Sequence, residues 1–152
     1  MGIQTMTSAQ IDAWVQKNLK SILEQFDFSK SFARDVPEMW GYQVIYTSGK
    51  YKLDVSIEKD TAEMVIGLNQ AERPEFRLPI LISFLSRENH PGSFSGSPEE
   101  QLNLLGRELK QYCNQIFSDA LLVSRENDLN EFKKKWFLYN SQWGKDQVKN
   151  LF

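Results

Sequence analysis

The sequence predicts a single α+β domain over residues 1–152, with an N-terminal helix packed on a three-stranded antiparallel meander and a mainly helical C-terminal half. Three observations predict this class. An apolar stripe of helical period opens the chain, a period of two follows it, and a strong helix-start signal marks the second half. The 152 residues, 41% hydrophobic and 25% charged, are typical of one globular domain and exclude a disordered or collagen-like chain.

The first helix is predicted over about residues 8–25. Its apolar residues recur at spacings of three and four and form one stripe: Ile11, Trp14, Val15, Leu19, Ile22, Leu23 and Phe26. Thr7 and Gln10 fit a capping box at its start. Residues 27–41 include Pro37, which interrupts regular structure, and we interpret this stretch as a connector.

A change of period to two predicts the meander. Apolar and polar residues alternate over 42–46 and again over 51–58, and residues 63–68 also suit a strand. Short polar turns separate the three segments, which is typical of antiparallel strands with one apolar face and one solvated face. The stripe of the first helix is expected to cover the apolar face.

The second half is predicted to be helical. The apolar run 78–85 is interpreted as a short helix because Pro79 suits a first helical turn better than a central strand. The irregular stretch 87–97 is a loop, of a length that is often mobile or functional. Ser97 followed by Pro98 and two acidic residues starts a long helix. A last helix is expected over about 128–140, and the final twelve residues are ambiguous.

Charge and composition exclude several classes of function. A net charge of −2 lacks the excess of positive charge that is typical of nucleic-acid-binding proteins. The only basic run, Lys133 to Lys135, is interpreted as a solvated helix face. One His and one Cys cannot supply a metal site, so neither a metal nor a cofactor is predicted. The lone Cys113 and the absence of a signal-peptide or membrane-span pattern favour a cytoplasmic protein.

Catalytic patterns are equally sparse. His90 has serines nearby in its loop, but no nucleophile elbow or known triad order accompanies it. Asp54 and Glu58 lie on the solvated strand face, where charges are usually just solvated. The loop before Pro98 lacks the lysine of a phosphate-binding loop. No catalytic residue is therefore assigned.

Aromatic residues are abundant by comparison, with 4 Trp, 5 Tyr and 10 Phe. Most fall on apolar stripes and build a core. The excess gathers between Phe132 and Trp143, where a helix cannot turn all of them toward one core, so some are expected either to pack at the terminus or to anchor a partner. Trp136 and Trp143 are the candidates.

The order of elements is similar to that of small bacterial immunity proteins of polymorphic toxin systems and their uncharacterised relatives. The likeness is carried by the segments 44–46, 51–57, 78–81 and 102–113, and it covers roughly residues 8–120. The resemblance implies a cytoplasmic protein that neutralises a cognate toxin by occlusion, without catalysis of its own. It assigns no functional residue.

We therefore expect a noncatalytic module that binds a protein partner. Its docking surface is predicted on the solvated strand face, at Lys52, Asp54, Ser56 and Glu58, or on the 87–97 loop with His90 and Phe94. One alternative is a small hydrolase or transferase that uses His90 with a neighbouring serine. Another is a homodimeric scaffold that buries Trp136 or Trp143 between subunits.

Overall fold

The computed structural model describes residues 6–92, 95–141, 144, 148 and 151–152, so Phe94 and Trp143 lie outside the described residues. Within them the chain is mixed α+β, with five antiparallel strands in one sheet and six α-helices. Each strand pairs with its neighbour in the chain. The predicted α+β class is confirmed, and the three-stranded meander is the centre of a larger sheet.

The bounds of the elements follow the chain order. The strands are β1 (Ser29–Val36), β2 (Gly41–Thr47), β3 (Tyr51–Glu58), β4 (Thr61–Leu68) and β5 (Glu75–Arg77). The helices are α1 (Ser8–Asn18), α2 (Lys20–Gln25), α3 (Leu78–Ser86), α4 (Pro98–Ile116), α5 (Asp119–Leu122) and α6 (Glu126–Tyr139). A 3-10 helix, Pro37–Met39, joins β1 to β2.

The core lies between the helices and one face of the sheet, here called the inner face. On β3, Tyr51, Leu53, Val55 and Ile57 are buried, whereas the residues between them are at least partly exposed. β2 alternates in the same way, as expected for a strand with one buried face. α1 packs against β2, and α3 and α4 pack against β4. The stripe of the N-terminal helix therefore meets the apolar face of the sheet.

The N-terminal helix is divided, in contrast to the single helix predicted over residues 8–25. Leu19 separates α1 from α2, and its φ of −119° lies outside the helical range. Leu19 is fully buried, so the apolar stripe continues across the break. The predicted capping box of Thr7 and Gln10 is present at the start of α1.

The prediction of a connector over residues 27–41 is wrong, because this stretch contains β1. The strand pairs antiparallel with β2, and a β-bulge lies between Lys30 and Phe32. Every residue of β1 is exposed except Val36, which is partly buried. An edge strand with a bulge keeps no regular period of two, so the pattern that reveals β2 to β4 is missing here.

The predicted meander also omits β5. This strand has three residues and pairs with β4, with Phe76 opposite Ile66. Residues 75–77 lie outside the three strands that the sequence predicts. A strand of three residues is too short for periodicity to reveal it.

The helical second half agrees with the prediction in outline. Pro79 lies in the first turn of α3, and Ser97 caps α4 by accepting a hydrogen bond from the Glu100 amide. α6 spans Glu126–Tyr139, close to the predicted 128–140. The one-turn helix α5 was not predicted.

Asp35 on β1 fixes the start of α1. Its carboxylate accepts hydrogen bonds from the Ser8 amide at 2.8 Å and from the Ser8 hydroxyl at 2.5 Å. These hydrogen bonds hold the pKa of Asp35 below its usual value, and a negative charge at a helix N-terminus is favourable. We expect Asp35→Asn to lower the free energy of unfolding at neutral pH by about 1 kcal/mol.

This loss should depend on pH. Because the pKa of Asp35 is lower in the folded state than the usual 3.8, its stabilisation is present above 3.8 and disappears as the pH falls through the folded-state value. Urea unfolding of the wild type and Asp35→Asn should therefore differ at neutral pH and converge in acid. Asp27→Asn, at an exposed aspartate, is the control. An equal loss in acid would mean that the Asp35 charge does not stabilise α1.

Candidate functional site

The face of the sheet opposite the core, here called the outer face, carries the residues predicted as a docking surface. Lys52, Asp54 and Ser56 lie on this face of β3 and are partly buried. Across the sheet, Ile45 lies opposite Asp54, and Phe32 lies opposite Ile45. Phe32 is 47% exposed. The outer face therefore presents apolar and polar side chains together on one accessible surface.

Asp54 lies near the middle of the outer face. Its Oδ2 accepts a hydrogen bond from Gln43 Nε2 at 2.7 Å, and its buried Oδ1 has no hydrogen-bond partner among the described residues. Burial raises the pKa of Asp54, and the nearby charge of Glu75 adds to this rise. The hydrogen bond from Gln43 and the charge of Lys52 act in the opposite direction and lower the pKa. Because Gln43 binds one carboxylate oxygen of Asp54 and the other is buried, Asp54 is poorly accessible to a docking partner.

Two ion pairs tie β5 to the outer face. Lys52 pairs with Glu75, and Arg77 Nη2 lies 3.2 Å from Glu63 Oε1. Lys52 is therefore engaged within the fold. Among the predicted docking residues on β3, Ser56 and Glu58 have no side-chain hydrogen bond or ion pair with any described residue.

Ser56 and Glu58 line a surface hollow at one end of the sheet. Its volume is about 370 Å³, and Arg34 and Met39 lie among its other lining residues. A second hollow of about 400 Å³ adjoins it, because Met39 lines both. The residues around the second hollow, together with Glu58, form a surface that we call the corner: Glu38, Met39, Trp40, Glu58, Lys59 and Asp60.

The corner exposes two large apolar side chains. Met39 is 70% exposed and Trp40 is 43% exposed. Trp40 has a φ of 54°, which is uncommon for a bulky residue. Its carbonyl oxygen accepts a hydrogen bond from the Lys59 amide at 2.8 Å, which ties the 3-10 helix to the β3–β4 turn. The 3-10 helix therefore holds both side chains at the rim of the sheet.

The sequence interpretation missed Met39 and Trp40 because they fall in the stretch taken as a connector. One signal was available. They are adjacent large apolar residues that follow Pro37 and belong to no apolar stripe, so no core face is available to bury both. Such a pair is a candidate for an exposed contact.

The loop candidate His90 contacts the helices beneath it. Its amide donates to Ser83 Oγ at 2.8 Å, and its Nδ1 lies 3.8 Å from Glu108 Oε1. Burial raises the pKa of Glu108, and the nearby His90 opposes this rise. Ser83 is fully buried, and no serine hydroxyl in the described part of the chain bonds the His90 imidazole. The serine–histidine pair of the hydrolase alternative is not formed there, and Phe94 lies outside the described residues.

The C-terminal aromatic residues divide between the core and the surface. Trp136 is 2% exposed, and its indole nitrogen donates to Ser83 Oγ at 3.3 Å. It is therefore a core residue and not a surface anchor for a partner. Phe137, its neighbour, is 45% exposed. Trp143 lies outside the described residues.

The described residues contain neither a cluster of metal ligands nor a membrane-spanning helix. No group of three or more His, Cys, Asp or Glu side chains in these ranges is placed to hold a metal ion. None of the helices described is both long enough and apolar enough to span a membrane.

Comparisons of the chain with protein-family models, with curated proteins and with solved structures give no match. Function is therefore inferred from the geometry of this chain's own residues.

Proposed function

We propose that the protein is a noncatalytic protein-binding module whose partner docks on the outer face and the corner. The observation that carries this proposal is the exposure of Met39 and Trp40 beside Ser56 and Glu58. Large apolar groups exposed next to polar ones mark interaction surfaces, and tryptophan is enriched among the residues that dominate binding energy. Phe32 extends the apolar surface along the outer face.

The resemblance to immunity proteins gives this module a specific form, in which the partner is a toxin that the module occludes. This form rests on the sequence resemblance, and the gene neighbourhood tests it. A large secreted toxin encoded directly upstream supports it, whereas a metabolic operon contradicts it.

The docking surface can be tested with the partner from the native host. The protein is used as bait, the captured partner is identified and purified, and its Kd is measured for the wild type and two variants. We expect Trp40→Ala to weaken binding at least about tenfold, because truncating a central aromatic contact costs more than about 1.4 kcal/mol. Phe137→Ala is the matched control, since it removes an equally exposed aromatic ring from α6.

The same measurement separates the competing surfaces. If Phe137→Ala weakens binding and Trp40→Ala does not, the partner docks on the C-terminal aromatic surface and the proposal is wrong. Analytical ultracentrifugation tests the homodimer alternative. A stable dimer that Trp40→Ala leaves intact would place self-association away from the corner.

A further inference from the structure

The corner and the adjoining outer face hold more carboxylates than cations. A third hollow, of about 230 Å³, adjoins the other two and is lined by residues that include Glu58, Lys59, Asp60 and Glu63. Among the described residues, four carboxylates and two cations line the three hollows: Glu38, Glu58, Asp60 and Glu63, and Arg34 and Lys59. Within the described part of the chain, Glu63 is the one carboxylate of the four that has an ion pair, with Arg77. Glu38 and Glu58 have no side-chain partner among the described residues, and Asp60 accepts only a long hydrogen bond from the neighbouring Thr61 hydroxyl, at 3.5 Å.

The hollow beside Trp40 brings these charges to an aromatic ring. Glu38 and Asp60 line it together with Met39 and Trp40, and Lys59 is the one cation among the described residues that line it. A purely apolar occupant would remove the two carboxylates from water without giving them a partner, which is costly. An acidic occupant would be repelled by them. A cation would both pair with a carboxylate and contact the indole face.

We propose that the partner inserts an arginine side chain into the hollow beside Trp40, with the guanidinium stacked on the indole and paired with Glu38 or Asp60. Arginine fits better than lysine because its planar guanidinium stacks on a ring and donates in a fork at the same time. The occupant is thus a basic protein segment that also carries an apolar residue for Met39. This inference rests on the proposed function and specifies the chemistry of the partner.

Short peptides test the chemistry without the natural partner. The probes are acetyl-Gly-Arg-Leu-Arg-Gly-amide and a counterpart with glutamate at both arginine positions. In two-dimensional NMR spectra of the full chain, the Trp40 indole signal is identified among those of the four tryptophans by the variant Trp40→Phe. We expect the arginine peptide to shift the Trp40 indole and the Gly41 amide in a salt-dependent manner, and the glutamate peptide to leave them unchanged.

The carboxylates are tested by the double variant Glu38→Gln/Asp60→Asn. We expect it to bind the arginine peptide about threefold more weakly for each charge removed. Glu131→Gln, at an exposed carboxylate of α6, is the control and should bind like the wild type. Equal shifts with both peptides, shifts confined to residues outside the corner, or no response at Trp40 would overturn the inference.

The natural partner separates failure of this inference from failure of the proposed function. If Trp40→Ala weakens the partner's binding but Glu38→Gln/Asp60→Asn does not, the corner is the docking site and the arginine assignment is wrong. If neither variant changes binding, both proposals are wrong. Weakening by both variants, with loss of the salt dependence in the double variant, supports both.

Discussion

Replacing Trp136 with alanine is expected to lower the free energy of unfolding by about 3–5 kcal/mol. Trp136 is 2% exposed and lies where α6 packs against α3. The substitution removes a large buried ring and leaves a cavity that the neighbouring helices can fill only in part. It also removes the hydrogen bond from the indole nitrogen to the Ser83 hydroxyl. The same hydroxyl accepts a hydrogen bond from the His90 amide. The substitution is therefore also expected to destabilise the N-terminal part of the 87–97 loop, which Ser83 holds through His90.

Phe137→Ala is the control for this substitution. It changes the next residue of the same helix, but that ring is 45% exposed, so we expect a loss of no more than about 1 kcal/mol. Urea unfolding followed by far-ultraviolet circular dichroism measures both variants, and Trp136→Phe should recover most of the loss. Similar losses for Trp136→Ala and Phe137→Ala would contradict the assignment of Trp136 to the core.

These two neighbours illustrate what the sequence could predict at the C-terminus. The spacing of Leu129, Phe132 and Trp136 indicates one helical face, and all three are buried. The pattern also indicates that not every aromatic residue of this segment can share that face. It does not say which one is exposed, because that depends on where α3 lies relative to α6.

The strands also include one that the sequence predicts and one that it does not. β3 was predicted with its observed bounds because a strand that is buried on one face alternates between apolar and polar residues. Its sequence shows that alternation from end to end. β1 was missed because its backbone hydrogen bonds to β2, and not the burial of its own side chains, keep it in the sheet. Ser29–Val36 is therefore a strand that only tertiary structure identifies.

The sequence predicts the part of the candidate site that lies on β3 and misses the part that lies on the 3-10 helix. Ser56 and Glu58 follow directly from the alternation of β3, which places them away from the core or at its rim. Met39 and Trp40 lie beside them only because β1 and the 3-10 helix return the chain to the end of β3. No periodicity within residues 37–40 carries that information.

Gln101 is the second residue with a large expected effect, because it joins α4 to the corner. Its side chain is almost fully buried, with 5% exposure. Its Oε1 accepts from the Ala62 amide at 2.9 Å, and its Nε2 donates to the carbonyl oxygens of Asp60 at 2.7 Å and Gly96 at 3.1 Å. One amide group thus satisfies three backbone groups from two separate segments.

Gln101→Ala is expected to lower the free energy of unfolding by about 1–3 kcal/mol, because the buried Ala62 amide loses its acceptor, whereas the carbonyl oxygens of the exposed residues Asp60 and Gly96 can bind water instead. The control is Gln111→Ala, at an exposed glutamine of the same helix, which should leave stability nearly unchanged. Urea unfolding measures the difference between the two variants. If Gln101→Ala is as stable as Gln111→Ala, the three hydrogen bonds contribute little.

The same substitution should affect binding without touching the partner. Asp60 belongs to the corner, and its carbonyl oxygen is held by Gln101. The substitution also removes the Gln101 oxygen that accepts from the Ala62 amide, so it should speed hydrogen exchange of that amide and loosen the β3–β4 turn beside Trp40. We therefore expect Gln101→Ala to weaken binding of the arginine peptide under conditions in which the variant remains folded, with Gln111→Ala again as control. Unchanged peptide binding alongside faster Ala62 exchange would mean that the corner does not depend on the position of this turn.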